Sequence, residues 1–186
     1  MAIWRGRNGS PTRVLLAPVG DFPDALLERL SRRANMPVGD RRLNPAPAWN
    51  ANRGQYDSTR LIAELRRLYD VPVVGAAAVD LFVPVLTFVF GEAEMPGRAA
   101  VFSICRLREE FYGLPQNPAL VEARAVRELW HEFGHTQGLA HCRDSACVMS
   151  SSHSVVGVDS KTDQYCLTCE AKLAKAREVK LPTASR

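Results

Sequence analysis

The 186-residue sequence contains no run of about 18 apolar residues, so a membrane-spanning helix is not expected. It also lacks a charge excess gathered in one place. Lysine and arginine number 24 and the acids 20, a formal net charge of +4. The basic residues are interleaved with acidic ones, as in ELRRLYD and RLREEF. A nucleic-acid partner, which needs a basic stripe, is therefore not expected. No internal repeat and no low-complexity tract is visible. The first residues, MAIWRGRNGS, have no apolar stretch ahead of a small-residue cleavage site. Export by that route is not expected, and the reading is a cytoplasmic, reducing compartment. Cysteines number only five and histidines four. In such a compartment the cysteines read as metal ligands or thiols before disulfides.

What is present suffices for a folded core. Hydrophobic residues make up 46% and charged residues 24%, ordinary globular values. A chain of this length is read as one domain over 1–186, burying roughly 70% of its unfolded surface. Residues 12–20, TRVLLAPVG, read as a buried strand. Residues 21–33 read as a helix opened by an Asp cap, with Leu26, Leu27 and Leu30 at helical spacing. Residues 36–57, rich in Pro, Asn, Gly and Arg, read as a long loop with room for a short strand. Residues 57–69 return to helix, with Asp57 or Ser58 as cap and Leu61, Ile62, Leu65 and Leu68 on one face.

VPVVGAAAV, PVLTFVFGEA and GRAAVFSICRL then give three strand-like runs. The longest helix is expected over about 118–137, capped by Asn117, begun by Pro118 and stopped by Gly138. A helix rich in Ala, Lys and Glu closes the chain. The order predicts an α/β (α+β) domain with a small mixed sheet.

Three of the four histidines fall within LWHEFGHTQGLAHCRDSAC, residues 129–147. On a helix His131 and His135 are one turn apart and share a face, so both rings can reach one ion. Glu132 lies beside that face, close enough to touch a metal-bound water without being a ligand. Gly138 turns the chain and His141 arrives as a third nitrogen ligand. Three ligands leave tetrahedral zinc an open position, as a catalytic site requires. The rival reading, histidines that merely pack or face solvent, does not account for the third His and the fixed Gly.

Two cysteine pairs follow, Cys142 with Cys147 and Cys166 with Cys169. Close pairs separated by a loop are the usual way to build a closed, structural four-cysteine zinc site. Spacing alone does not separate iron from zinc. Cys105 reads as a small buried hydrophobe in an apolar strand. His153 has no partner at ligand spacing and reads as a loop histidine.

HEFGHTQGLAHC, followed by CVM and then VDSKTDQYCLTC, resembles the archaemetzincins, a branch of the metzincin metalloproteases; VDLFVPVLTFVFGEA is similar to the family's sheet segment. The similarity spans about residues 12–175. It implies a metzincin-like fold, with a sheet-bearing N-terminal lobe to about 138 ending in the active-site helix. A C-terminal lobe of about 139–186 would hold the Met-turn, a four-cysteine zinc site and the terminal helix. It implies two Zn2+ per chain, with His131, His135 and His141 on a catalytic ion and Cys142, Cys147, Cys166 and Cys169 on a structural one. Glu132 would be general base, then general acid. Met149 would lie in a tight bend beneath the zinc ligands; without the resemblance it reads as a gap-filling core Met.

The strand around LTFVFG would line the cleft and pair with an extended peptide, or else only pack. Departures from the family fall after Met149, where the chain reads SSSHSV. Ser151 occupies a position at which some metzincins carry a Tyr. The implied activity is zinc-dependent hydrolysis of peptides or flexible protein segments by a monomer, in which Glu132 activates a zinc-bound water. The alternative is a metal-stabilised peptide-binding module with little or no cleavage. A zinc ribbon on nucleic acid is the third reading, and interleaved aromatic and basic residues are missing for it.

Overall fold

The computed structural model describes residues 3–5 and 11–178. An antiparallel pair, β1 (Ile3–Arg5) with β2 (Pro11–Arg13), comes first. It is followed by β3 (Leu15–Val19), α1 (Asp24–Ala34), β4 (Trp49–Asn50), β5 (Gln55–Asp57) and α2 (Ser58–Leu68). Then come β6 (Val73–Ala77), β7 (Leu81–Phe82), β8 (Gly91–Ala93), β9 (Ala99–Ser103), α3 (Pro118–Thr136), α4 (Val155–Ser160) and α5 (Leu167–Glu178).

The main sheet has the order β3-β6-β9-β8, parallel except for the antiparallel edge strand β8. Its three parallel strands are almost wholly apolar because both faces are covered. Leu16, Val74, Ala76, Ala100 and Phe102 face the leucines of α1 and the apolar side of α3. The alternate residues Ala17, Val19, Val73, Ala77 and Val101 face Leu61, Ile62 and Leu65 of α2. A second mixed sheet, β4-β5-β7, sits beside them. The architecture is the mixed α/β layering expected from the sequence.

The caps of α2 and α3 are as read: Asp57 accepts from Arg60 N at 3.1 Å, and Asn117 accepts from Leu120 N at 3.1 Å. The Asp cap of α1 is a correction. The cap position is Pro23, with no side-chain bond, and Asp24 in the first turn instead pairs with Arg42. PVLTFVFGEA is a second correction, since only Gly91–Ala93 is strand, preceded by a lone bridge from Val89 to Leu81. Pro84 offers no N–H, and Arg53 and Gln55 hold the carbonyls of Leu86 and Thr87 at 2.7–3.1 Å, replacing a ladder. The 36–57 loop holds two short strands rather than one, β4 and β5, after a single 3-10 turn at Ala46–Ala48.

Cys105 lies not in a strand but in a 3-10 turn, half-buried; Ser103 ends β9 by accepting from Cys105 N at 3.0 Å. Beyond α3 a third apolar cluster forms from Leu139, Cys147, Val148, Met149, Cys169 and Leu173. Arg124 of α3, only 4% exposed on its side chain, fastens α4 to it by two bonds to Asp159 at 2.8 and 2.6 Å.

Candidate metal centre

Helix α3 delivers the motif as its spacing requires. Its stop is Gly138, at φ +90°, which only glycine adopts without strain. There the chain reverses, with Gly138 N and Leu139 N donating to the carbonyls of His135 and Gly134 at 2.8 and 3.1 Å. The reversal returns His141 to the rings of His131 and His135, with ring centroids 5.3 and 5.0 Å away. One nitrogen from each of the three lies within 4.8 Å of the others.

Backbone carbonyls set the tautomers. His131 Nδ1 donates to Val148 O at 2.8 Å and His135 Nδ1 to Leu139 O at 2.7 Å. A carbonyl only accepts, so each Nδ1 carries the proton and each Nε2 presents a lone pair. Those two Nε2 atoms stand 3.1 Å apart. Burial, aided by the Lys161 charge, pushes His131 down to about 2, and burial also lowers His135 and His141. Neither ring carries a second proton to bridge the gap. Two facing lone pairs at this distance fit one shared cation. Bonds of about 2.1 Å at a tetrahedral angle would place the nitrogens about 3.4 Å apart.

Glu132, 3% exposed, lines the same cleft, and its Oε2 has no hydrogen-bond partner among the described residues. Burial, with Glu128 nearby, holds its carboxyl well above the usual carboxylate range. Edge strand β8 passes directly over it. A Cβ on Gly91 would stand 2.5 Å from Glu132 Oε1, so the carboxylate occupies space that only a glycine leaves. Met149 is fully buried against Gly134 of α3, in a bend where Ser150 N donates to Cys147 O at 2.9 Å. Here too a glycine makes the space, because a Cβ on Gly134 would meet Met149 Sδ at 2.4 Å.

The four sulfurs of Cys142, Cys147, Cys166 and Cys169 form a second group within 4.8 Å of one another. Cys142 and Cys166 are 3.8 Å apart, the separation set by two bonds of about 2.3 Å at a tetrahedral angle. Burial pushes the Cys147 and Cys169 thiols up. The Cys169 backbone N–H pulls Cys166 down to about 7. Buried thiols lose their protons outright to a cation at their centre, and this donor set fits zinc.

The cleft beside the histidines holds about 480 Å³, with Phe88, Phe90, Gly91 and Glu92 on one wall and Ser151, Ser152 and His153 on the other. His153 is thus an exposed loop residue that also lines the cleft. The sequence reading missed Glu128 and Lys161, an ion pair 2.9 Å apart in the same cleft. Glu128 carried a signal, since it shares the helix face of His131 and Glu132. Lys161 carried none.

The sequence profile of peptidase family M54 matches residues 33–175. The chain belongs to peptidase family M54. An archaemetzincin of Methanocaldococcus jannaschii is 42% identical over 166 residues, covering 87% of this chain and 92% of the relative. The crystal structure of the Methanopyrus kandleri archaemetzincin superposes with a TM-score of 0.78 at 36% identity, covering 90% of this chain and 96% of that one. A zinc-dependent peptidase from Methanocorpusculum labreanum superposes with a TM-score of 0.75 at 26% identity, covering 86% and 99%. The likeness to the archaemetzincins read from the sequence holds, and the chain is a zinc metallopeptidase with a three-histidine and a four-cysteine cluster.

Proposed function

We propose that the two clusters hold one zinc each, the histidine-bound ion catalytic and the cysteine-bound ion structural, and that Glu132 is the general base. The observation carrying this reading is the pair of Nε2 lone pairs 3.1 Å apart beside a buried carboxyl whose Oε2 has no partner among the described residues. Zinc at the histidines supplies Lewis acidity, polarising a carbonyl and lowering the pKa of a water toward about 7. Glu132 takes the proton from the attacking water at its unpaired oxygen and returns it to the departing amine. His131 and His135 stay neutral and oriented through Val148 O and Leu139 O, so the cation keeps its charge. Burial of His131 and Glu132 keeps bulk water from those two groups and strengthens their interactions.

An extended peptide fits along β8. Phe90 O and Glu94 N bond toward β9, so by antiparallel alternation the main-chain groups of Gly91 and Ala93 point to the open edge. Added as a further strand, a peptide or flexible protein segment would place its scissile carbonyl over Glu132. We read the chain as one domain of two lobes meeting near residue 138, acting as a cytoplasmic monomer without a nucleic-acid or membrane partner. No helix among the described residues is long and apolar enough to cross a membrane.

The test is Glu132→Ala, which should keep both ions and lose peptide-library cleavage by about 100-fold or more. Equal cleavage by both proteins would refute the general base. Absence of cleavage in zinc-loaded wild type, with peptides still bound, would favour the binding-module reading.

A further inference from the structure

The cleft continues past the histidines toward the N-terminal half of α3, and there its floor is ionic. Glu128 lies one turn before Glu132 on the same helix face. Lys161, the residue that ends α4, puts Nζ 2.9 Å from Glu128 Oε1, with side-chain exposures of 1% for Lys161 and 3% for Glu128. The ammonium has three N–H groups, and its only other acceptor among the described residues is Ser150 O at 3.4 Å. Glu128 Oε1 meets the ammonium without a well-directed hydrogen bond, and the buried Ser152 Oγ, of a residue lining the same cleft, has no partner among the described residues.

Taking two charges out of water is costly, and such a pair is commonly no more stabilising than apolar side chains of the same size. Fastening α4 to α3 does not require it, because Arg124 and Asp159 already do that. What the floor offers is donor and acceptor capacity left over inside a dry wall.

We propose that Glu128, Lys161 and Ser152 form the floor of a side-chain pocket beside the three-histidine centre, selecting a carboxamide, glutamine or asparagine, next to the scissile bond. The assignment rests on the metallopeptidase reading and deepens it. A substrate carboxylate would face Glu128 and a substrate ammonium would face Lys161, each leaving an unbalanced buried charge. An alkyl side chain would cover the floor and satisfy none of its polar groups. A carboxamide supplies both halves: its oxygen accepts from Lys161, and its amino group donates to Glu128 or Ser152. A site that hydrogen-bonds a substrate group in this way rejects analogues lacking it more strongly than an apolar pocket can.

The zinc-loaded full chain is titrated with four peptidyl hydroxamates sharing one chelating head and differing in one side chain: carboxamide, isobutyl, carboxylate or ammonium. Wild type should bind the carboxamide compound at least ~10-fold more tightly than the other three. The double variant Glu128→Leu with Lys161→Met, which leaves no lone buried ion, should reverse the order and bind the isobutyl compound best. Equal affinities in wild type, or an unchanged order in the double variant, overturn the assignment and leave the metallopeptidase reading standing. Failure of all four to bind overturns both. Should the double variant not fold, Ser152→Ala decides: it should lower the carboxamide preference by ~3-fold or more, and an unchanged preference overturns the proposal.

Discussion

Gly91 on the edge strand and Glu132 on the active-site helix share one space. A methyl group at position 91 would sit 2.5 Å from Glu132 Oε1 and 2.6 Å from its Cγ. The strand therefore fixes where the carboxylate stands. Gly91→Ala should displace it by a few tenths of an ångström or more and lower kcat by about 10- to 100-fold, since small misplacements of a catalytic group are costly. Zinc content and Tm should stay near wild type. Steady-state kinetics alongside metal analysis checks this, and unchanged kcat would show that the carboxylate has room to move.

Gly134 plays the corresponding part toward Met149. Gly134→Ala inserts a methyl at 2.4 Å from Met149 Sδ and should destabilise the fold by about 1–3 kcal/mol. Met149→Ala should cost less in the Gly134→Ala chain than in wild type, because the contested volume is already taken by the added methyl. Urea unfolding of the two single variants and the double variant measures the coupling.

Acid should destabilise the metal-free protein. His131 is held at about 2 in the fold against about 6.5 unfolded, so below pH 6.5 the unfolded chain binds a proton that the fold does not. That costs about 1.4 kcal/mol per pH unit for this buried ring. His135 adds in the same direction, and His141, at the exposed rim, adds less because solvent screens it. Glu132, held high, opposes the trend with one proton above its ordinary value. Tm of the metal-free chain should therefore fall between pH 6.5 and 5, and a flat profile would contradict neutral histidines.

Cys166→Ser should release one ion per chain and leave the histidine-bound one measurable. Structural zinc sites contribute about 10–16 kcal/mol of apparent binding energy at neutral pH. Forfeiting even a third of it should lower Tm by about 10 °C or more. Metal analysis and calorimetry read the two effects separately, and an unchanged Tm would remove the structural role.

Most local signals in the sequence proved dependable, the Asp cap of α1 being the exception. Asp57, Asn117, Pro118 and Gly138 each act within a turn of their own position, so helix ends could be read directly. The i, i+4 pair His131 and His135 is equally local. What escaped were contacts with partners remote in the chain that no motif marks. Gly91 matters because of Glu132, Gly134 because of Met149, and Lys161 because of Glu128. The run PVLTFVFGEA has strand-like residues, but Arg53 and Gln55 take its carbonyls, and no window along the chain contains that competition.

His141 and Cys142 are consecutive residues, so one peptide unit belongs to both clusters. Cys142 N also donates to Met149 O at 2.9 Å, beside the Val148 carbonyl that orients His131. Any shift of the sulfur cage is handed at once to the imidazoles across a single covalent link. With one ion in each cluster, as proposed, loading of the two should be coupled: whatever affinity one occupant lends the other is returned in equal measure. A chelator strong enough to empty the cage should thus loosen the histidine-bound ion as well, and inactivation should track loss of that ion.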